Sequence, residues 1–258
     1  MKQTKIVNGT DIDKFLKVVN GFVLPEKKKE KFNFFCCITN RNTNIPFGAG
    51  SYIGNNIIIT AAHVMFKQNI NNLVVRFNKK NLRHGGKAFR IKSVKIHPRY
   101  NNDTINNDIA IIYLHEDISK YNINQIYLPS PELYNYIYKK NRECVIMGYG
   151  KDNFNGNLTN KLQCSLINVM DINQTRLPPS WVNQNMVIAG DYNDLNDPTD
   201  NEDSCQGDSG GPMFGNYGKN RTPILIGIVS WGVGCAWDGF PGVYTKVGNY
   251  VKWVYKNI

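Results

Sequence analysis

Short apolar segments cut by turn residues run the length of this chain, and they leave few folds open. Segments 34–39, 49–53, 56–60, 73–77, 89–96 and 109–114 make one series; 144–148, 161–170, 186–189, 212–214, 224–231 and 242–247 make a second. Each is about as long as a β-strand, and Asn, Gly, Pro or Lys breaks the chain between them. Such spacing excludes alternating strand–helix units and predicts an all-β sandwich or barrel. The stretch 118–132 lacks strong alternation and carries Pro129 and Pro131, which marks it as the connection between two halves. Only the tail reads as helix: Val247, Tyr250, Val251, Val254 and Tyr255 recur at helical spacing, with Lys252 and Lys256 opposite.

Composition narrows the class further. With 258 residues, 41% of them hydrophobic, the chain is long enough for one large domain or two small ones and too apolar to stay disordered. The longest apolar run, 224–231, falls far short of the roughly 18 residues that a membrane helix needs. A net charge of +11 favours acidic partners, and the basic patches 27–31 and Lys139-Lys140 with Arg142 are candidate polyanion sites. Six Cys are too few for a disulfide scaffold but allow one to three bridges, in any of 15 pairings. Met1-Lys2-Gln3-Thr4-Lys5 is too short and polar for a signal peptide, so an export signal has been removed or export takes another route. The acidic stretch 191–203 lacks EF-hand spacing and is expected to be a solvated loop.

The chemistry concentrates in Gly207-Asp208-Ser209-Gly210-Gly211. Gly-x-Ser-x-Gly also fits the nucleophile elbow of α/β-hydrolases, in which the acid and the His follow the Ser. The four His are His63, His84, His97 and His115, and none follows Ser209, so that reading fails on chain order. The reverse order is present: Thr60-Ala61-Ala62-His63, then Asn107-Asp108-Ile109-Ala110, then Ser209. With these motifs the sequence resembles the trypsin-like serine proteases of the chymotrypsin family, from Ile6 to the C-terminal helix.

The resemblance implies an all-β fold of two packed six-stranded antiparallel β-barrels with a C-terminal α-helix. Residues 1–5 would be a propeptide remnant and 6–258 the peptidase domain, with barrels at 26–120 and 121–258 joined by 6–25. Ser209 would be the nucleophile, His63 its base, and Asp108 the group that holds the imidazole and stabilises its cation. The amides of Gly207 and Ser209 would form the oxyanion hole. Asp203 would sit at the base of the primary pocket and select Lys or Arg, with Ser204 adding a hydrogen bond. Ser230, Trp231, Gly232 and Gly242 would wall the pocket, the backbone of 230–232 pairing with an extended substrate. Cleavage at Lys5–Ile6 would free the Ile6 amine to pair with Asp208. His84, His97 and His115 read as ordinary structural or surface residues.

No cofactor or metal is expected. The segment 79–84 holds Lys79, Lys80, Arg83 and His84 where calcium-binding relatives carry carboxylates, which excludes hard-cation binding there. The expected partners are protein or peptide substrates with Lys or Arg at the cleavage site, protein protease inhibitors and polyanions. The expected form is a monomer without a membrane span, secreted or otherwise extracytoplasmic. The alternative is a catalytically silent protease-like binding protein, whose sign would be a broken triad or a lost pocket. The Cys pattern departs from the family. Cys205 and Cys235 match the bridge that shapes the pocket. Gly48 and Val64 replace the bridge beside the catalytic His. Cys144 and Cys164 face positions held by Gly215 and Ile12, and Ile188 marks another lost bridge. Cys36 and Cys37 have no counterpart, and remain either buried thiols or partners for Cys144 or Cys164.

Overall fold

Strand pairing accounts for nearly all regular structure in the computed structural model, which describes residues 22–23, 30–79, 81–150, 157–190, 207–218, 220–234, 237 and 239–258. The described residues open with a two-residue strand β1 (Phe22–Val23). Six strands follow: β2 (Phe35–Asn40), β3 (Pro46–Gly54), β4 (Ile57–Thr60), β5 (Leu73–Lys79), β6 (Gly85–Ile96) and β7 (Ala110–Leu114). They close into an antiparallel barrel in the order β2-β3-β4-β7-β6-β5. A second six comprises β8 (Glu143–Gly148), β9 (Gln163–Met170), β10 (Met186–Gly190), β11 (Pro212–Tyr217), β12 (Thr222–Trp231) and β13 (Gly242–Lys246). These run β9-β10-β13-β12-β11-β8, and pairing of β8 with β9 closes the second barrel. All twelve strand segments read from the sequence are present. Closure removes the free edges that a flat sheet would expose.

Local chemistry explains the tight corners. Asn55 and Asn56 link β3 to β4 with φ of 50° and 62°, the left-handed pair of a type I′ hairpin, which Asn tolerates better than other side-chain-bearing residues. Strands β2, β4 and β7 are buried along almost their whole length. Phe34, Ile38, Ile58, Ile59, Phe77 and Ile112 are wholly buried. The same apolar cluster continues through Met147, Phe214, Leu225 and Ile228 of the second barrel, so the barrels share one core at their junction. Phe214 anchors it, with ring centroids 5.2 Å from Phe34 and 5.6 Å from Phe32.

Each barrel is also tied to chain that belongs to the other half. Strand β1 precedes the first barrel yet pairs with β9 of the second, Phe22 opposite Cys164. The connection 118–132 forms no strand. Its Asn122 and Asn124 hydrogen-bond Asn33, while Tyr127 exchanges backbone hydrogen bonds with Pro223 and Leu225. The tail is a 3₁₀ turn Val247–Asn249 followed by the helix Val251–Tyr255. It reaches back to the first barrel, where the Tyr113 hydroxyl donates to the Asn257 carbonyl at 2.5 Å.

The cysteines resolve in part. Cys36, Cys37, Cys144 and Cys164 are buried free thiols; Cys205 and Cys235 lie outside the described residues. Where a Cβ on Gly48 would stand, Val64 Cγ1 is 2.6 Å away, so Val64 fills the space of the lost bridge. Tyr217 crowds Gly215 in the same way, its hydroxyl 2.7 Å from a Cβ there. Burial pushes the Cys37 and Cys144 thiols up to about 12, and Cys36 and Cys164 also well up. Thiols without thiolate character are inert. Iodoacetamide at neutral pH is therefore expected to leave these four unlabelled in the native protein and to label all four in denaturant, as read by peptide mass spectrometry.

Two basic side chains turn inward. Lys79 ends β5 almost fully buried, and its Nζ donates to both the backbone oxygen and Oδ1 of Asn44 at 3.0 Å. Arg142 is not a free surface cation. Its guanidinium lies 3.7 Å from the Tyr136 ring centroid and donates to the Tyr136 hydroxyl at 2.9 Å.

Candidate active site

The site is built where the ends of several strands meet at the barrel junction. The one-turn helix Ala62–Met65 follows β4 and carries His63. Asp108 precedes β7, which pairs with β4, so the same strand pair supplies both residues. His63 donates its backbone N–H to Asp108 Oδ1 at 2.8 Å, and His63 Nδ1 lies 2.8 Å from Asp108 Oδ2. Ser230, at the end of β12, donates its hydroxyl to the same Oδ2 at 2.5 Å. Thr245 Oγ1 of β13 donates to the Asp108 carbonyl at 2.7 Å.

This network fixes the imidazole. An ionised carboxylate only accepts hydrogen bonds, so Nδ1 carries the proton and Nε2 is left with its lone pair. Asp108 is 1% exposed and the His63 side chain 24%, so the carboxylate is buried while the imidazole can be reached from solvent. A buried carboxylate is tolerated because three donors satisfy its two oxygens.

Ser209 is held by its neighbours' backbone. Its carbonyl accepts the Ala49 N–H at 2.8 Å, Gly210 N donates to Val229 O at 2.9 Å, and Gly211 N donates to Asp208 O at 2.8 Å. Gly210 has φ 81°, and a Cβ there would stand 2.2 Å from Thr60 Oγ1 and 3.2 Å from Ala61 N. The residue after Ser209 thus lies directly against the stretch that leads into His63. Gly207 turns with φ 107°, a conformation open to Gly and strained for other residues. The Asp208 side chain points to Gly148 and Gly150, whose N–H donates to Oδ1 at 2.7 Å.

The residues expected to wall a substrate pocket are described in part. Ser230, Trp231, Gly232 and Gly242 lie at the facing ends of β12 and β13, where the register shifts between Val229 and Trp231. Among the described residues, the nearest atom to a Cβ on Gly232 is the Gly234 carbonyl oxygen at 3.9 Å, an ordinary contact. Asp203, Ser204, Lys5 and Ile6 lie outside the described residues.

Several contributors were not read from the sequence. Ser230 was placed as a pocket wall, but its hydroxyl also grips Asp108; a Ser closing the apolar run 224–229 was the available signal. Thr245 and Trp181 gave none. Trp181 is half-exposed beside Trp231, with ring centroids 6.5 Å apart. His97 is buried as expected of a structural residue, packed at 5.2 Å on Tyr250 and 4.9 Å on Trp253, and its Nδ1 accepts the Arg99 N–H.

Burial, and then Arg99, hold His97 below the ordinary value of 6.5. The unfolded chain therefore takes up a proton that the fold refuses. Stability is expected to fall as pH drops from about 6.5 through the lower folded value. The thermal midpoint should drop less over that window in His97→Phe than in the parent.

Among the described residues there is no cluster of His, Cys, Asp and Glu able to hold a metal ion, and no helix long and apolar enough to cross a membrane. Comparison with known proteins agrees with the geometry. The family model described as Trypsin matches residues 26–254. Trypsin II-P29 of Gallus gallus is 36% identical over 256 residues, covering 97% of this chain and 91% of that protein. Trypsin Blo t 3 of Blomia tropicalis is 35% identical over 81% of this chain and 76% of its own length. Anionic trypsin of Bos taurus is 32% identical over 94% of this chain and 90% of its own length.

Proposed function

The chain belongs to the trypsin family of serine endopeptidases, and from that premise we propose that it hydrolyses peptide bonds on the carboxyl side of Lys or Arg. The observation that carries the reading is the oriented His63–Asp108 pair beside the pinned Ser209 turn. In this mechanism Ser209 Oγ attacks the scissile carbonyl carbon as His63 Nε2 takes its proton. The oxyanion is received by the N–H groups of Gly207 and Ser209, each donor being worth about 3 kcal/mol in the transition state. Collapse expels the amine, which takes the proton back from His63 and leaves an ester on Ser209. Water then attacks that ester through the same base and frees the enzyme. Asp108 keeps the proton on Nδ1 throughout and stabilises the transient imidazolium.

Specificity in this reading comes from Asp203 at the pocket base with Ser204 beside it, and from space left by Gly232 and Gly242. A carboxylate there pairs with a cationic side chain and is left unpaired by an apolar one. The bridge Cys205–Cys235 would brace the same wall, and its loop corresponds to about 3–4 kcal/mol in a chain-entropy model. Protein inhibitors would dock in the same cleft as extended substrate mimics. Activation follows cleavage at Lys5–Ile6, which removes 1–5 and supplies an ammonium to the Asp208 carboxylate. Secretion as a monomeric zymogen completes the reading.

One assay tests it. Amide substrates with Lys, Arg, Phe and Ala before the cut are offered to protein cleaved at Lys5–Ile6 and to uncleaved protein, with the N-terminus sequenced in each. Hydrolysis after Lys and Arg by the cleaved form is expected. A preference for Phe would overturn the pocket, activity with Met1 still attached would overturn the activation step, and no hydrolysis at all would favour a silent binding protein.

A further inference from the structure

Charge in this chain is distributed unevenly between the halves. Residues 30–121 hold thirteen Lys and Arg against five Asp and Glu, whereas residues 122–258 hold eleven against twelve. From 31 to 102 there are twelve Lys and Arg and no carboxylate at all. The catalytic reaction uses none of these cations.

Strand β6 and the hairpin before it carry five of them. Strand β6 exposes Lys87, Arg90, Lys92 and Lys95, and Arg83 is exposed in the hairpin that joins it to β5. At about 3.3 Å per residue, Lys87 to Lys95 spans roughly 27 Å. Lys120 adds to the row from the turn after β7. The Nζ atoms of Lys87 and Lys120 lie 5.0 and 5.5 Å from the same Tyr121 ring centroid, two cations brought together. The neighbouring acids are Glu116, which pairs with Arg90 at 2.9 Å, and Asp117, close to Lys120. Lys87, Lys92, Lys95 and Arg83 have no ion pair among the described residues.

The chemistry of the face selects its partner. Among the described residues the exposed large apolar ones are Phe47, Tyr127, Trp181, Trp237, Tyr255 and Ile258, and none lies on β5, β6 or β7. A protein partner would want an apolar anchor, and a single-stranded nucleic acid would want aromatic faces for its bases. A row of long cations with no exposed large apolar side chain on its strands, and with the Tyr121 ring already covered by Lys87 and Lys120, recognises charge at intervals along a flexible strand. We propose that the β6 face of the first barrel binds a linear sulfated polysaccharide, which would hold the enzyme in a polyanionic matrix while the cleft at the barrel junction stays open.

The test uses the full chain, a heparin-type polysaccharide as probe, and titrations over a range of salt. Binding is expected to weaken with salt, the log–log slope being about one per cation engaged. The triple variant Lys87→Glu, Lys92→Glu, Lys95→Glu is expected to bind at least about tenfold more weakly with a shallower slope. A control triple, Lys139→Glu, Lys140→Glu, Lys252→Glu, changes equally exposed cations of the second half and should bind nearly as the parent does. Hydrolysis of a small amide substrate by all three proteins reports that each is folded. Equal loss in both triples would reduce the effect to net charge and overturn the site. So would failure to bind near 0.1 M salt, or equally tight competition by a single-stranded oligonucleotide or an acidic peptide of matched charge.

Discussion

Ser209→Ala is expected to lower kcat on a Lys amide substrate by about a millionfold while KM changes little. The backbone that shapes the turn does not depend on the hydroxyl. The Ser209 carbonyl stays on the Ala49 N–H, Gly210 stays on Val229 and Gly211 on Asp208. In the proposed mechanism the variant therefore keeps its pocket and its oxyanion donors and loses only the atom that would form the acyl bond. Residual hydrolysis, about 10³ to 10⁴ above that in water, is what positioning and the oxyanion hole supply on their own. Burst kinetics with an active ester provide the sharper check, because the parent should show an acyl-enzyme burst and the variant none. A burst in Ser209→Ala would place the nucleophile elsewhere.

Asp108→Asn is expected to cost about 10⁴-fold in kcat with the fold intact. The carboxylate accepts from His63 N, His63 Nδ1 and Ser230 Oγ. An amide has one accepting oxygen and one donating nitrogen in nearly the same shape. With its NH₂ turned to His63, Nδ1 must accept, and the ring proton moves to Nε2, where it faces the nucleophile in place of a lone pair. The fault lies in the tautomer, so it should not add to loss of the nucleophile. The double variant with Ser209→Ala should be no slower than Ser209→Ala alone, as expected for residues that act as one unit. A multiplicative loss would mean that Asp108 acts through something other than His63.

Periodicity and chain order carried much of this structure into view. Strands such as 56–60 and 224–231 are legible because burial and turn chemistry agree locally. The order of His63, Asp108 and Ser209 is legible because the order of the three motifs is itself readable in the sequence. What escaped depends on distant partners. A two-residue strand at Phe22–Val23 has no period to read and exists because β9 offers an edge. Lys79 sits among basic residues in the sequence, yet its ammonium turns inward because Asn44, far away in the chain, presents two oxygens. Arg142 looked like one of a cluster of surface cations until Tyr136 folded beneath it. The hydroxyl of Ser230 could be guessed as polar in an apolar strand, but not that it points at Asp108.

The way each half holds chain from the other half bears on how a substrate must behave. Strand β1 clamps the lead-in of the first barrel to the second, the connection 118–132 is bonded to both, and the tail ends on Tyr113. Among the described residues, those ties and the shared core around Phe214 leave no free hinge between the barrels. Enzymes that close on their substrates need such a hinge. Here the jaws are already set, and the adjustment falls to the other molecule. If substrates pair in extended form, as in the mechanism proposed above, a segment to be cut must leave its own secondary structure, so folded proteins would be attacked at loops and frayed ends, at a rate limited by how often those segments open.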